Sequence, residues 1–190
     1  SLSDVEDARS VARRLGMPYQ VFNFKGDFKE KVIDKFIATY EAGGTPNPCI
    51  DCNKCLKFDT LCRRAITLGY DYVVTGQYAR IDCVDGRYRL RKALDDKKDQ
   101  SYVLYNLSQE QLAHTLFPLG ELHKDQVRAI AEENGFINAH KRESQDICFV
   151  PDGDYAAFIE SYTGRHYPPG AFVATQGNVL GRHKGIIRHT

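Results

Sequence analysis

Hydrophobic positions recur along the chain in two alternating patterns. Over 3–15 the apolar residues return every three or four positions, which predicts an amphipathic helix, and the same spacing recurs over 28–40 and 51–68. Strands are expected over 19–24, where apolar and polar residues alternate, and in the apolar run 72–75. Helices that alternate with strands are typical of an α/β fold with a parallel sheet.

The rest of the chain adds two hairpins and further helices. Val84-Asp85-Gly86 separates strand-like runs over 78–83 and 87–91, and an Asp-Gly pair at such a place predicts a β-hairpin. The remaining predicted elements are helices over 108–114, 124–134 and 155–162, a short extended segment over 147–150, and a second hairpin over 172–181.

The composition fits a folded protein with one domain and the start of another. Of 190 residues, 42% are hydrophobic and 27% charged, which excludes wholesale disorder. No apolar run approaches the ~20 residues that span a bilayer. The pattern turns to β near the end of the chain, so we place one domain at 1–150 and the start of a second at 151–190. Because the sequence opens on Ser1 inside a helix pattern, we expect it to be a piece of a longer protein.

Four of the six cysteines lie between 49 and 62, which favours metal or thiol chemistry over a disulfide framework. Cys49, Cys52 and Cys55 have the C-x2-C spacing of zinc and iron–sulfur ligands, but a second C-x2-C pair is missing. Cys55 and Cys62 lie on the apolar face of the predicted helix, where core packing explains them.

Cys52 has the setting of a reactive thiol. It lies where the stiff loop Thr45-Pro-Asn-Pro48 meets the start of the helix predicted from about 51–53. A helix N-terminus and the nearby cations of Lys54 and Lys57 favour a thiolate, so Cys52 is a candidate nucleophile, with an incidental exposed thiol as the alternative. On periodicity alone, Cys148 reads as a buried strand residue.

Two further features can bind a ligand. Gly76 directly follows the apolar strand 72–75, and ligands of open α/β sheets bind at the carboxyl ends of strands, although most such glycines simply make a turn. Net charge is only +1, from 26 basic and 25 acidic residues, but one stretch is locally basic. It offers either a phosphate-binding face or a solvated strand face, and it consists of Arg87, Arg89, Arg91, Lys92, Lys97 and Lys98.

Several separated motifs together resemble one family, the tRNA-specific 2-thiouridylases (MnmA/TrmU type), in the family's order and over nearly the whole chain. The motifs are Gly44-Thr-Pro-Asn-Pro-Cys-Ile-Asp-Cys-Asn53 with Lys57-Phe58, Thr75-Gly-Gln-Tyr-Ala-Arg80, Lys98-Asp-Gln-Ser-Tyr102, Phe117-Pro-Leu-Gly120, Ser144-Gln-Asp-Ile-Cys-Phe149 and Gly177 through His183.

The resemblance implies a fold and an activity. The fold is a Rossmann-like adenine-nucleotide alpha-hydrolase (PP-loop ATPase) domain followed by a small, mainly-β central domain. The activity is ATP-dependent adenylation of the wobble uridine and persulfide sulfur transfer, which gives 2-thiouridine in tRNA. ATP, with Mg²⁺, is the implied co-substrate, and no tightly bound metal is expected. The implied partners are the anticodon region of tRNA and a sulfur-donor relay protein, in the cytoplasm and away from membranes.

The resemblance also assigns roles to residues. Cys52 is implied to be the nucleophile and Cys148 the persulfide carrier, with a disulfide between them after transfer. This role replaces the prediction from periodicity that Cys148 is a buried residue of a strand. The remaining implied contacts are Gly76 with ATP, then Asn47, Pro48 and Cys49 with the target base, and finally Gln77, Asp99, Gln100 and Ser101 with tRNA.

The chain departs from the family pattern in three respects. Gln77 stands where the family usually has His, and Gln carries no charge near neutrality. The family's Ser-Gly-Gly-x-Asp-Ser loop, which cradles pyrophosphate, has no match, so we expect no ATP turnover by this chain alone. The family's C-terminal β-barrel has no match either. Two other functions stay open: an iron–sulfur or zinc protein that uses Cys49, Cys52 and Cys55, and a non-catalytic RNA-binding module on the basic hairpin.

Overall fold

A computed structural model describes residues 2–137, 139 and 147–189. The described strands are β1 Val73–Val74, β2 Ala79–Val84, β3 Arg87–Lys92, β4 Thr115–Leu116, β5 Gly170–Val173 and β6 Val179–His183. The described helical segments are Leu2–Arg14, Lys25–Phe28, Lys29–Ile33, Asp34–Glu41, Pro48–Asp51, Cys52–Leu61, Cys62–Thr67, Ser101–Val103, Gln109–Ala113, Pro118–Glu121, Lys124–Glu133, Tyr155–Thr163 and Ile186–Arg188.

The chain folds as two compact units. The first combines Ser1–Lys25 with Asn53–Glu143, and the second combines Gly26–Cys52 with Ser144–Thr190. The division into domains at 1–150 and 151–190 stays a prediction. Within the described residues, no helix is both long and apolar enough to cross a membrane.

The first unit contains the predicted parallel pairing. β1 and β4 run parallel, with Val73 opposite Thr115, and both of these residues are buried. The predicted buried strand 72–75 is wrong in its extent, because the strand is only Val73–Val74 and Val74 is exposed. Successive strand residues point to opposite faces, and only one face of this pair is covered.

The strand predicted over 19–24 is not formed. The alternation there has another use: the rings of Phe22 and Phe24 stack with centroids 6.0 Å apart, and the Arg64 guanidinium lies 4.5 Å from the centroid of the Phe22 ring. The side chains therefore share one face, as the pattern requires, but among residues 2–137, 139 and 147–189 no strand pairs with this backbone to form a ladder.

The hairpin of β2 and β3 forms as predicted. Asp85 and Gly86 both have positive φ, 50° and 76°, which is the backbone of a type I′ turn and explains the Asp-Gly pair. Beyond the turn, Asp82 accepts hydrogen bonds from Arg89 and Arg91 at 2.8 and 2.9 Å. These two guanidinium groups lower the pKa of Asp82 to about 2, with the hydrogen bond from Arg89 as the larger cause.

This pKa predicts an acid-labile hairpin. An unfolded Asp titrates near pH ~3.9, so the Asp82 contribution is fully present above that pH and is lost as pH falls through the folded value of about 2. We expect the Asp82 carboxyl carbon to titrate with a midpoint near 2 by NMR. Arg89→Gln should raise the midpoint towards the unfolded value, and an unchanged midpoint would contradict the assignment of its cause.

The second unit is built on a helix-to-helix core. Phe36, Ile37 and Tyr40 of Asp34–Glu41 pack against Ala156 and Ile159 of Tyr155–Thr163. At the end of the first helix, the Glu41 carboxylate accepts hydrogen bonds from Arg165 and Tyr167. The hydrogen bond from Tyr167 is the larger cause of the lowered pKa of Glu41. The second predicted hairpin, β5 with β6, also lies in this unit.

Candidate functional site

The Pro loop leads directly into a capped helix. Asn47 is the N-cap of Pro48–Asp51, and its side-chain oxygen accepts a hydrogen bond from the Cys49 N–H at 3.2 Å. Asn47 has extended backbone, as a residue before Pro should, and Pro48 occupies the first helical position, where its missing N–H costs nothing. The three residues assigned to the target base therefore lie together at one helix start.

This geometry corrects the predicted position of Cys52. The helix begins at Pro48 rather than near 51–53, so Cys52 lies one turn inside, at the start of the π-helical segment Cys52–Leu61. The helix-terminus argument for a thiolate at Cys52 is therefore wrong. The second helical position belongs to Cys49, which is exposed, whereas Cys52 is half-buried.

The turn that precedes Cys52 is fixed to the helical stretch 25–41. Segment Pro48–Asp51 lies against Lys29–Ile33. The Asp51 carboxylate, next to Cys52 in the chain, is 2.6 Å from the Lys35 ammonium. This ion pair and the packing hold the last turn before Cys52 on that stretch.

Cys148 is also anchored on the same helical stretch. The extended segment predicted over 147–150 is wrong, because the Val150 N–H donates to the Ile147 carbonyl at 2.9 Å and closes a turn. Cys148 is exposed in this turn, not buried as its periodicity indicated. Next to it, Phe149 packs edge-on against Phe28 and Phe36, with centroids 5.6 and 5.3 Å apart. Ser144, Gln145 and Asp146 of the motif lie outside the described residues.

Both predicted catalytic thiols thus belong to one compact unit, and the residue beside each is anchored on the stretch 25–41. Sequence periodicity gave no sign of this, because 96 positions separate Cys52 from Cys148 in the chain. A surface turn held by a half-buried aromatic neighbour, Phe149, exposes a thiol while fixing its backbone.

Gly76 follows the end of β1, where the sequence predicts a nucleotide contact. A Cβ added to Gly76 would meet the Leu119 Cδ1 atom at 3.5 Å, which is ordinary van der Waals contact. Its conformation also does not require glycine. The surrounding protein therefore does not require a glycine at this position, and the contact of Gly76 with ATP stays a prediction.

Gln77 is buried, with 6% of its surface exposed. Its side-chain NH₂ donates to the Asn53 side-chain oxygen at 2.5 Å, and its own oxygen accepts a hydrogen bond from the Thr75 hydroxyl. The tRNA contact assigned to Gln77 stays a prediction. Sequence reasoning missed Asn53, whose only signal is a polar residue at a helix position that turns out to be buried.

The other residues assigned to tRNA stabilise their own loop. Asp99 accepts hydrogen bonds from the Ala93 N–H at 2.8 Å and from the Ser101 hydroxyl at 2.7 Å. The side-chain oxygen of Gln100 accepts from the Tyr78 N–H at 3.1 Å, and the Gln100 N–H donates to the Tyr78 carbonyl at 2.8 Å. All three are half-buried, and their contact with tRNA stays a prediction.

A metal site on Cys49, Cys52 and Cys55 is one of the alternatives that the sequence leaves open. The structure describes all six cysteines as thiols. Cys62 is buried, as predicted for a core residue, and burial raises the pKa of its thiol. Among the described residues, no group of three or more His, Cys, Asp or Glu side chains is arranged to hold a metal ion.

The first unit also contains a cavity of about 530 Å³. It lies beside the hairpin and β4, and its walls include Tyr72, Val74 and Leu116 with Arg80 and Glu121. None of the described residues that the sequence assigns to the site lines this cavity. The size of this cavity therefore does not identify it as the catalytic centre.

Comparison of the sequence with known proteins places this chain in a family. A sequence model described as the tRNA methyl transferase HUP domain matches residues 1–152. The tRNA-specific 2-thiouridylase MnmA of Lachnoclostridium phytofermentans is 54% identical over 190 residues, which are 100% of this chain and 53% of that protein. The MnmA of Clostridioides difficile is 55% identical over 192 residues, again 100% of this chain and 53% of that protein.

The chain therefore spans about half the length of the curated relatives it matches. The predicted resemblance to the 2-thiouridylases is confirmed, and so is the predicted fold class, since the HUP domain is a Rossmann-like α/β domain. Because the family model covers most of this sequence, the chain belongs to the tRNA methyl transferase HUP domain family.

Proposed function

We propose that this chain carries the sulfur-transfer centre of a tRNA-uridine 2-sulfurtransferase, which forms 2-thiouridine at the wobble position of tRNA. The observation that carries the proposal is the anchoring of Cys52 and Cys148 on the helical stretch 25–41 of one compact unit. The names of its relatives support thiolation, since each is a tRNA-specific 2-thiouridylase.

In the proposed reaction, each of the two thiols carries out a separate step. ATP adenylates the uracil O2 and releases pyrophosphate, so that O2 leaves later as AMP. The terminal sulfur of a Cys148 persulfide attacks C2 and displaces AMP. Cys52, as thiolate, then attacks the Cys148 Sγ, which forms the Cys52–Cys148 disulfide and releases 2-thiouridine. A reductant must open this disulfide, and a sulfur-donor relay protein must restore the persulfide.

An exposed Cys148 suits this scheme better than a buried one. A persulfide carrier must receive sulfur from another protein and then meet a bulky RNA, and both steps require access. The half-buried Cys52 suits the second step, which is an attack on a group already held by the same unit. Proximity of this kind replaces a bimolecular encounter by an intramolecular one.

The family resemblance assigns the substrates to further residues. Asn47, Pro48 and Cys49 hold the target base at the capped helix start. ATP, a co-substrate of the family, approaches the backbone at Gly76, and Mg²⁺ accompanies its phosphates. The anticodon region of tRNA is the macromolecular substrate, with Gln77, Asp99, Gln100 and Ser101 proposed to contribute to its binding. The enzyme acts in the cytoplasm.

The test joins this chain to the rest of a relative. In a chimera, the 190 residues replace the matching part of the Lachnoclostridium phytofermentans protein, which is 54% identical. The chimera is given ATP, Mg²⁺, a persulfide donor and unmodified tRNA, and the nucleosides are analysed by mass spectrometry. We expect 2-thiouridine only when ATP is present. A folded chimera that binds tRNA but forms no 2-thiouridine would contradict the proposal.

A further inference from the structure

We propose that Gln77 is a positioning residue for Cys52, acting through Asn53. The inference rests on the proposed role of Cys52, but it concerns how that thiol is held. Gln77 lies after β1, whereas Asn53 and Cys52 are consecutive residues of the helical segment Cys52–Leu61. A side chain beyond the strand therefore fixes the residue next to the thiol.

We call the contact a clamp, because hydrogen bonds hold the Gln77 carboxamide at both of its ends. Gln77 and Asn53 are buried, with 6% and 5% of their surfaces exposed, and the donor–acceptor distance between the two amide groups is 2.5 Å. On its other side, the Gln77 oxygen accepts a hydrogen bond from the Thr75 hydroxyl. The carboxamide is thus oriented from both ends, and a buried amide that loses its partner carries the full cost of its desolvation.

The geometry of the helical segment that contains Cys52 is the second argument for a positioning role. Cys52–Leu61 is π-helical, a geometry that is rare and occurs frequently at functional sites. Its first residue is the thiol and its second is Asn53. Fixing Asn53 from β1 therefore limits how far the Cys52 backbone can move, and with it the exposure and direction of the thiol.

The second glutamine clamp on the same segment provides a matched control. The Gln111 side-chain NH₂ donates to the Phe58 carbonyl at 2.9 Å, and Phe58 lies six positions after Cys52 in Cys52–Leu61. Removing this bond loosens the same segment at a place remote from the thiol along the helix. A general loss of stability and a specific loss of positioning can therefore be told apart.

The experiment measures the alkylation rate of each cysteine in the full 190-residue chain. The reduced protein is pulsed with isotope-coded iodoacetamide, and the peptides are quantified by mass spectrometry. Loss of one hydrogen bond is usually worth a factor of about three to ten in an equilibrium, so Gln77→Met should raise the Cys52 rate at least about threefold. The rates of the exposed Cys83 and Cys148 should stay unchanged and serve as internal references.

Three variants complete the test. Gln111→Met should leave the Cys52 rate within about twofold, since its clamp is remote from the thiol. Gln77→His keeps one donor and one acceptor when its imidazole is neutral, so at pH 8 it should restore the rate of the unsubstituted chain. If circular dichroism shows that Gln77→Met does not fold, Asn53→Ala removes the same hydrogen bond from its other side. The alkylation rate of Cys52 in that variant then tests the proposal.

An unchanged Cys52 rate in the folded variant would overturn the inference, and so would an equal rise in Gln111→Met. The readout needs neither tRNA nor ATP, so this failure is distinct from failure of the proposed function. That proposal is tested by 2-thiouridine formation in the chimera.

Discussion

Cys52→Ser in the chimera is expected to lower the rate of 2-thiouridine formation at least about a thousandfold, the usual cost of losing a covalent nucleophile. A serine hydroxyl occupies nearly the same volume but does not ionise near neutrality, so it cannot attack the Cys148 Sγ. The affinity for tRNA should stay within about threefold, because the backbone of the helix is kept. Nucleoside mass spectrometry gives the rate, and filter binding gives the affinity.

Cys148→Ser should have an equally large effect for a different reason. Without this thiol the chain cannot accept a persulfide, so sulfur from a ³⁵S-labelled donor should no longer label the protein. In Cys52→Ser the label should be accepted and retained. Cys83→Ser is the matched control, since Cys83 is an exposed thiol on β2 and should be dispensable. Full thiolation by either of the first two variants would contradict the assigned roles.

Cysteine-to-serine variants also distinguish the proposed sulfur transfer from the two alternative functions. A metal site that uses Cys49, Cys52 and Cys55 should lose its ion in Cys55→Ser, whereas thiolation requires no Cys55. A non-catalytic RNA-binding module should be indifferent to all the serine variants. Thiolation retained in Cys55→Ser and lost in Cys52→Ser is expected only from the proposed sulfur transfer.

Gly120→Ala is expected to destabilise the first unit by about 3 kcal/mol or more, near the upper end of single substitutions. A Cβ at this position would overlap the Ala79 carbonyl oxygen and lie 2.7 Å from its carbon. The neighbour is backbone at the start of β2, so it cannot turn aside as a side chain can. Urea unfolding followed by circular dichroism gives the free energy of unfolding.

Gly26→Ala is the matched control. Nothing lies within 4 Å of a Cβ there, and the residue is in the helical segment Lys25–Phe28, so the free energy of unfolding should stay the same or rise by up to about 1 kcal/mol. Equal stability of the two variants would contradict the close contact at Gly120. The Phe117-Pro-Leu-Gly120 motif would then lack the structural reason given to it here.

Local signals in the sequence predicted most of the helices and both hairpins. The Asp85-Gly86 turn and the helical spacing of apolar residues each act within a few residues, so sequence alone reveals them. The strand predicted over 19–24 failed because a ladder requires a partner strand, which no local pattern specifies. The helix start at Pro48 was not predicted, because a residue before Pro favours extended backbone, whereas Pro itself is also suited to the first position of a helix.

The candidate site was less predictable than the fold. Periodicity placed Cys148 in a buried strand, and only the family resemblance paired it with Cys52. The anchoring of both segments on the stretch 25–41 depends on Phe149 and Asp51, whose partners lie far away or on another helix. Likewise, the contact of Gln77 with Asn53 joins residues 24 positions apart and had no signal in the sequence.

The proposed sulfur transfer requires Cys52 and Cys148 to meet. This is tested by a peptide map of the 190-residue chain after mild oxidation with diamide, prepared without reductant and alkylated at once. We expect a cross-linked peptide pair that joins Cys52 to Cys148 and is reversed by dithiothreitol. Separate alkylation of these two thiols, or a disulfide of Cys52 with Cys49 or Cys55 in place of Cys148, would contradict it.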